Sequence, residues 1–252
     1  MSQQISLFII TKNEEAKIAQ CILSARELVS EVVVVDGFSE DKTVQIAQSL
    51  GAKTYQRAFD GFANQKNFAL RKVGTAWALN LDADEKLTPQ LCEEIRRTVQ
   101  NTQHAGFMIA FSNYFLGKRM KYSGLNKEQH LRLVRTDKAE YEGGLVHEGL
   151  KVSGSVGCLK GHIQHYSYDS IETYFTKFNK YTSLAARQMY KNGRRFRLFS
   201  VLLTIPFEFF KRYLLKLGFL DGMRGFLWAS FSAFYVFVKY TKLWALQQQD
   251  KQ

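Results

Sequence analysis

The sequence predicts an α/β fold, a mostly parallel sheet flanked by helices, followed by a helical C-terminal extension. Three observations predict it. Residues 5–10 (ISLFII) and 32–35 (VVVV) are nearly continuous apolar runs of strand length, as expected for strands covered on both faces. Between them Ala16, Ile18, Ala19, Ile22, Leu23 and Leu28 recur at helical spacing. A third run, 76–79 (AWAL), continues the alternation of strand and helix that marks βαβ units and a parallel sheet.

Taken in order, the first strand is broken by Thr11-Lys12-Asn13-Glu14 and the second ends in Asp36-Gly37. A helix is expected from about 41 to 50, with Gly51 as its stop, and another around 64–72. The strand at 77–81 follows. Thr88 and Pro89 then read as N-cap and first residue of a helix reaching about 101. Residues 106–111, 115–121 and 130–135 read as further, antiparallel strands. Asp169 and Glu172 have capping-box spacing for a helix to about 191, ended by Asn192-Gly193. Apolar stretches at 198–210, 214–220 and 225–238 complete the chain. The expected organisation is an α/β domain over 1–168, in two halves at 1–102 and 103–168, and a helical extension over 169–252.

Composition excludes several classes. A 46% hydrophobic fraction with 14% aromatics fills a core, which excludes disorder. Cys21, Cys92 and Cys158 are scattered, so neither a disulfide framework nor a thiolate zinc site is expected. The N-terminus lacks a basic segment and 5–10 is too short for a signal peptide core, so a cytoplasmic protein is expected. The net charge of +12 is concentrated: residues 187–246 hold eleven Lys/Arg against Glu208 and Asp221. The longest apolar run there, 225–238, falls short of the roughly 20 residues a spanning helix needs. Lys211, Arg212, Lys216, Arg224, Lys239 and Lys242 interleave with Phe, Trp and Tyr, the pattern of helices lying in an anionic membrane interface. A buried helical pair that packs on the catalytic domain or on a partner fits the same pattern. Nucleic acid is not expected, because the aliphatic and aromatic runs exceed what phosphate contacts need.

The chemistry concentrates at the strand ends. Asp82-Ala83-Asp84-Glu85 follows the 77–81 strand at the end where open α/β sheets bind ligands. Alternation along a strand points Asp82 and Asp84 the same way. A hard cation is held by one or two carboxylates plus substrate phosphates, so the pair reads as a metal–diphosphate site; a solvated turn carries the same spelling. No Gly-rich dinucleotide or P-loop motif is present. Asp36 and Asp41 instead offer acceptors to a base and a ribose, although Ser39 or Asp41 also suits a helix cap. Arg132 and Arg135 suit the phosphates of an anionic acceptor or, equally, solvated strand charges. Glu148, flanked by glycines in GGLVHEG that allow close backbone approach to a ligand, suits a general base or, equally, a solvated loop carboxylate. His162 and His165 fall on opposite faces of one strand and so do not share a metal.

Together Thr11-Lys12-Asn13-Glu14, Asp36-Gly37-Phe38-Ser39-Glu40-Asp41-Lys42-Thr43 and Asp82-Ala83-Asp84-Glu85, with gaps of about 25 and 45 residues, resemble the three markers of family 2 glycosyltransferases of the GT-A fold. The resemblance implies a nucleoside-diphosphate sugar donor, Mg²⁺ or Mn²⁺, and inversion at the anomeric carbon. It places Thr11, Asn13, Glu14, Asp36, Ser39 and Asp82 in the nucleotide-sugar pocket, Asp36 on the uracil or ribose, and Asp84 on the metal. Lys66 and Asn67 match a less regular stretch that lines the donor pocket. His147-Glu148, His165-Tyr166-Ser167 and Gly218–Phe226 (GFLDGMRGF) further resemble the small bacterial transferases that build the lipopolysaccharide inner core. Within that resemblance Glu148 is the base and His165 a metal contact. The implied donor is UDP-glucose, the implied acceptor an inner-core heptose presented at the cytoplasmic face of the inner membrane. Transfer to another lipid-linked acceptor such as polyprenyl phosphate, and a non-catalytic nucleotide-sugar-binding scaffold, remain as alternatives. Oligomeric state is not legible.

Overall fold

Four parallel strands form the first part of the main sheet. The computed structural model describes residues 4–125, 128–143 and 148–249, with Glu148 described by its backbone alone. Strand β1 (Ile5–Thr11) is flanked in parallel by β2 (Glu31–Asp36) and β4 (Trp77–Asn80), and β3 (Lys53–Gln56) adds in parallel to β2. Helices α1 (Ile18–Ala25), α2 (Thr43–Ser49) and α3 (Phe62–Lys72) connect them, and Gly51 at φ +84° ends the α2 segment as expected. The short β5 (Glu85–Lys86) precedes α4 (Pro89–Gln100), whose N-cap Thr88 accepts the Leu91 N–H at 3.2 Å.

The next strands are antiparallel, as expected for the middle of the chain. They are β6 (Gly106–Phe115), β7 (Lys118–Arg119), β8 (Gln129–Arg135), the hairpin β9 (Ala139–Gly143) and β10 (Glu148–Val152), and the long β11 (Val156–Tyr168). Among the described residues the main sheet runs β3-β2-β1-β4-β8-β6-β11-β5. Parallel strands are thus continued by antiparallel ones in one sheet, the α/β arrangement expected. The strand expected over 115–121 shrinks to the two residues of β7, because Leu116 and Gly117 take left-handed conformations (φ +48° and +74°) that turn the chain into a hairpin.

The core of this half is built from the expected runs. Leu7, Ile9, Val34, Trp77, Leu79, Leu91, Ile95 and Phe107 are buried on one face; Phe8, Val33, Val35 and Leu70 are buried on the other. Both faces of β1 and β2 are therefore covered, the physical reason their sequences do not alternate.

The chain divides into two compact units, residues 1–111 with 128–165 and residues 112–127 with 166–252. The second unit thus takes in 112–127, which the sequence places in the 103–168 half. It contains α5 (Ile171–Lys191), α6 (Leu198–Phe210) and α7 (Met223–Gln249). Two expectations are corrected here. The α5 N-cap is Ser170, whose Oγ accepts the Thr173 N–H at 3.1 Å, so Asp169 lies outside the helix. The helix expected over 225–238 runs for 27 residues, because 239–249 offers good helix formers and no Gly or Pro to stop it. No helix among the described residues is long and apolar enough to cross a membrane.

The GFLDGMRGF stretch is explained by packing inside this unit. Asp221 accepts the backbone N–H groups of Lys121 (2.9 Å) and Tyr122 (3.0 Å) and the Ser123 hydroxyl (3.2 Å). A Cβ on Gly225 would lie 1.8 Å from the Gly218 carbonyl oxygen, and one on Gly218 would lie 2.6 Å from that of Arg212. Both positions therefore demand glycine. Replacing Asp221 with Ala leaves three donors without their acceptor and should lower stability by about 2 kcal/mol or more. Denaturant unfolding checks this, and Asp221→Asn should lose less.

Candidate active site

The C-terminal ends of β1, β2 and β4 meet as the parallel register dictates: Thr11 pairs with Asp36, and Phe8 with Asn80. Beyond them the 11–15 and 36–43 loops are stitched together. The Asn13 N–H donates to Ser39 Oγ at 2.8 Å, and its side-chain oxygen accepts the Glu40 N–H at 2.9 Å. The Glu14 N–H donates to Thr43 Oγ1 at 2.8 Å and the Glu15 N–H to Asp41 at 3.1 Å. Asn13 and Phe38 sit at φ +55° and +60°, and the Phe38 ring is exposed. Such left-handed non-glycine residues persist where surrounding bonds over-determine them.

Several residues expected to touch the donor are spent on this scaffold. Asp36 is fully buried and takes both the N–H (2.8 Å) and the hydroxyl (2.5 Å) of Ser39, so these two side chains bond each other. Asp41 accepts the Thr43 N–H at 3.0 Å, a turn-closing role. Asn67 uses both ends of its amide on the backbone of Tyr141, at 2.8 Å each, which clamps α3 to β9. Thr11 differs: its Oγ1 is buried and has no hydrogen-bond partner. A buried orphan hydroxyl costs roughly 1–3 kcal/mol, a cost a bound ligand removes.

The Asp82–Glu85 segment leaves the strand after Asn80 and forms a turn, so Asp82 and Asp84 are not set by strand alternation. The turn is only partly solvated: the Asp82 side chain is 37% exposed, that of Asp84 9%. The two carboxylates have different partners. Asp82 lies 3.0 Å from Arg132 Nη2 and 3.5 Å from the buried Lys66 Nζ. Asp84 Oδ1 lies 3.5 Å from His165 Nε2. The short β5 explains this, since it pairs with β11 in a register that sets Glu85 opposite His165. His162 shows no part in the cluster.

Arg132 is the centre of this charge cluster and the chief surprise of the site. It is buried, bonding Asn80 Oδ1 at 2.7 Å, Asp82 at 3.0 Å and Glu85 at 2.5 Å, with its guanidinium over Phe111. It therefore faces carboxylates rather than acceptor phosphates. Arg135 is at the other end of the sheet, opposite Trp77 in register and 3.5 Å from Asp137, and does not reach the site. Glu85, fully buried, also accepts the Asp82 N–H at 2.9 Å. Tyr141 joins through a 3.1 Å bond from its hydroxyl to Asn80.

The electrostatics follow from this packing. Burial works to raise the Asp82 carboxyl, but Lys66 and Arg132 prevail and hold it well below the usual range. Burial pushes the Glu85 carboxyl up to about 7 against the pull of Arg132. Burial works to lower His165, yet its bond to Asp84 and the neighbouring acids raise it. Burial likewise opposes the Arg132 charge, but Glu85 and Asp82 keep it firmly ionised.

Among the described residues no cluster of three or more His, Cys, Asp or Glu is placed to hold a metal. Asp84 and His165 do fit a cation that takes its remaining ligands from phosphate oxygens and water: one carboxylate and one imidazole converge from two chain segments. Glu148 enters β10 opposite Gly143, while residues 144–147, His147 included, lie outside the described residues. Sequence reasoning missed Arg132 in this role, and Glu85 and Tyr141 altogether. Three acids within four residues, if buried, require a buried cation, and that was the available signal.

Comparison with known proteins agrees with this architecture. Residues 6–152 match the family profile described as glycosyl transferase family 2. An uncharacterized glycosyltransferase of Rickettsia typhi is 32% identical over 261 residues, which cover 99% of this chain and 89% of that protein. The lipopolysaccharide core biosynthesis glycosyltransferase LpsC of Rhizobium meliloti is 32% identical over 248 residues, 95% of this chain and 92% of that protein. Among solved structures, S. aureus TarS 1–349 aligns over 98% of this chain and 92% of its own at 14% identity and a TM-score of 0.49. The chain belongs to glycosyl transferase family 2. It is a glycosyltransferase, and the cluster at the ends of β1 and β4 is its candidate active site.

Proposed function

We propose that the protein is an inverting, metal-dependent hexosyltransferase that moves glucose from UDP-glucose onto a heptose of the lipopolysaccharide inner core. The observation that carries this reading is the convergence of Asp84 and His165 at 3.5 Å; the orphaned Thr11 hydroxyl at the end of β1 adds to it. A donor set of that kind suits a cation bridging to a diphosphate. The name of the Rhizobium relative supports a lipopolysaccharide core acceptor.

In this reading Thr11 meets the nucleotide, while Asn13, Glu14, Asp36 and Ser39 hold the loops that frame it. Lys66, buried against Asp82 and over the Tyr141 ring, contributes positive charge near the diphosphate. Mg²⁺ or Mn²⁺, held by Asp84 and His165, would supply charge neutralisation to the leaving diphosphate. Glu148 takes the proton from the acceptor hydroxyl as that oxygen attacks the anomeric carbon, opposite the departing UDP. Work of this kind contributes roughly 10²–10⁴ in rate. The acceptor is lipid-borne, and the enzyme works as a peripheral protein on the cytoplasmic face of the inner membrane.

The test is transfer from a panel of UDP-sugars to a heptose-terminated core acceptor. Glu148→Gln should keep donor binding by calorimetry and lose transfer by about that 10²–10⁴ factor. Full transfer by this variant would remove Glu148 from the base role. Donor binding by the wild type without turnover on any acceptor would favour a scaffold.

A further inference from the structure

The second unit exposes an apolar surface that nothing in its own core requires. Thirteen large apolar side chains between Leu198 and Phe226 are each at least 43% exposed. On α6 they form one stripe, because Phe199, Leu202, Leu203, Phe207 and Phe210 follow spacings of three, four and seven residues. The opposite side of α6 carries Val201, which is 3% exposed. The turns that follow continue the surface through Leu215, 74% exposed, and Met223, 70% exposed.

The same stretch is strongly basic. Residues 194–226 carry seven Lys/Arg against Glu208 and Asp221. Glu208 is engaged by Lys211 and by Arg212 (2.6 Å), and Asp221 is bound to backbone N–H groups. Arg194, Arg195 and Arg197, just before α6, and Lys216, just after it, remain exposed. A second copy of this chain on the stripe would bring a second set of these cations and no unengaged carboxylate from 194–226 to meet them. An anionic bilayer answers both features, taking the apolar stripe among its acyl chains and the arginines among its headgroups.

We propose that α6 and the turn leading into α7 form a monotopic docking surface for an anionic phospholipid bilayer, with α6 lying in the interface plane. At 13 residues α6 spans about 20 Å, too short to cross the hydrocarbon core. This deepens, and rests on, the lipid-borne acceptor proposed above. Vesicle binding needs no donor or acceptor, so its failure and a failure of the transfer assay are separate results.

The experiment is co-sedimentation of the full chain with phosphatidylcholine vesicles, with and without 30% phosphatidylglycerol. Binding should need the anionic lipid and weaken with salt. L203Q/F207Q should lower partitioning about tenfold or more, with helical content and UDP binding unchanged. R194Q/R195Q/R197Q should weaken binding and remove most of its salt dependence. Equal binding of wild type and L203Q/F207Q would overturn the proposal. So would a wild-type dimer by sedimentation velocity that ignores vesicles and becomes monomeric in L203Q/F207Q.

Discussion

Arg132→Leu should lower the unfolding free energy by about 3–5 kcal/mol, the cost of leaving buried carboxylates without their cation. Arg132 bonds Asn80, Asp82 and Glu85 from a position that is 7% exposed, and Glu85 is fully buried. Lys66, 3.5 Å from Asp82, compensates only part of the loss. Arg132→Lys should recover little, since one ammonium group cannot match a planar fork serving three acceptors. The double replacement R132L/E85L should recover much of the stability, because removing both members of a buried pair costs far less than removing one. Urea midpoints of the four proteins decide it, and an Arg132→Leu protein as stable as the wild type would mean the cluster is not a fold element. The measurement also separates folding from catalysis at Arg132, which has its charge committed inside the site.

Asp84→Asn should abolish the metal-dependent part of UDP binding and reduce transfer by roughly 10²–10⁴, the equivalent of several kcal/mol of charge stabilisation. The substitution is isosteric and the Asp84 side chain is 9% exposed, so the fold should survive it. His165→Ala should have a smaller effect, about 10–100-fold in metal affinity, because a cation can replace an imidazole with water more readily than it can give up a carboxylate. Titration of UDP with and without Mn²⁺, in wild type and both variants, reads this directly. Metal-enhanced binding that persists in Asp84→Asn would remove Asp84 from the metal role. Transfer undiminished by a chelator would do the same for the metal.

The sequence determined the order and type of the N-terminal elements, because runs buried on both faces and helices with one apolar stripe leave local, periodic signals. The strands at 5–10, 32–35 and 77–80, the Thr88-Pro89 helix start and the α6 bounds were all legible for that reason. The site motifs were legible too, since the Thr11, Asp36 and Asp82 segments are contiguous and lie at strand ends that a parallel sheet must bring together. Pairing over long range was not legible. Only the tertiary structure sets β5 against β11, which brings His165 to Asp84, and only it buries Arg132 of β8 beneath the Asp82 turn. It likewise gave Asn67 and Asp36 partners within the fold, the Tyr141 backbone and Ser39, because which neighbour a polar side chain meets depends on tertiary contacts that one-dimensional spacing does not contain. The exposed stripe on α6 belongs with these: apolar residues at helical spacing look the same whether the helix is covered or bare. Their exposure was decided by which side of α6 packs on α7.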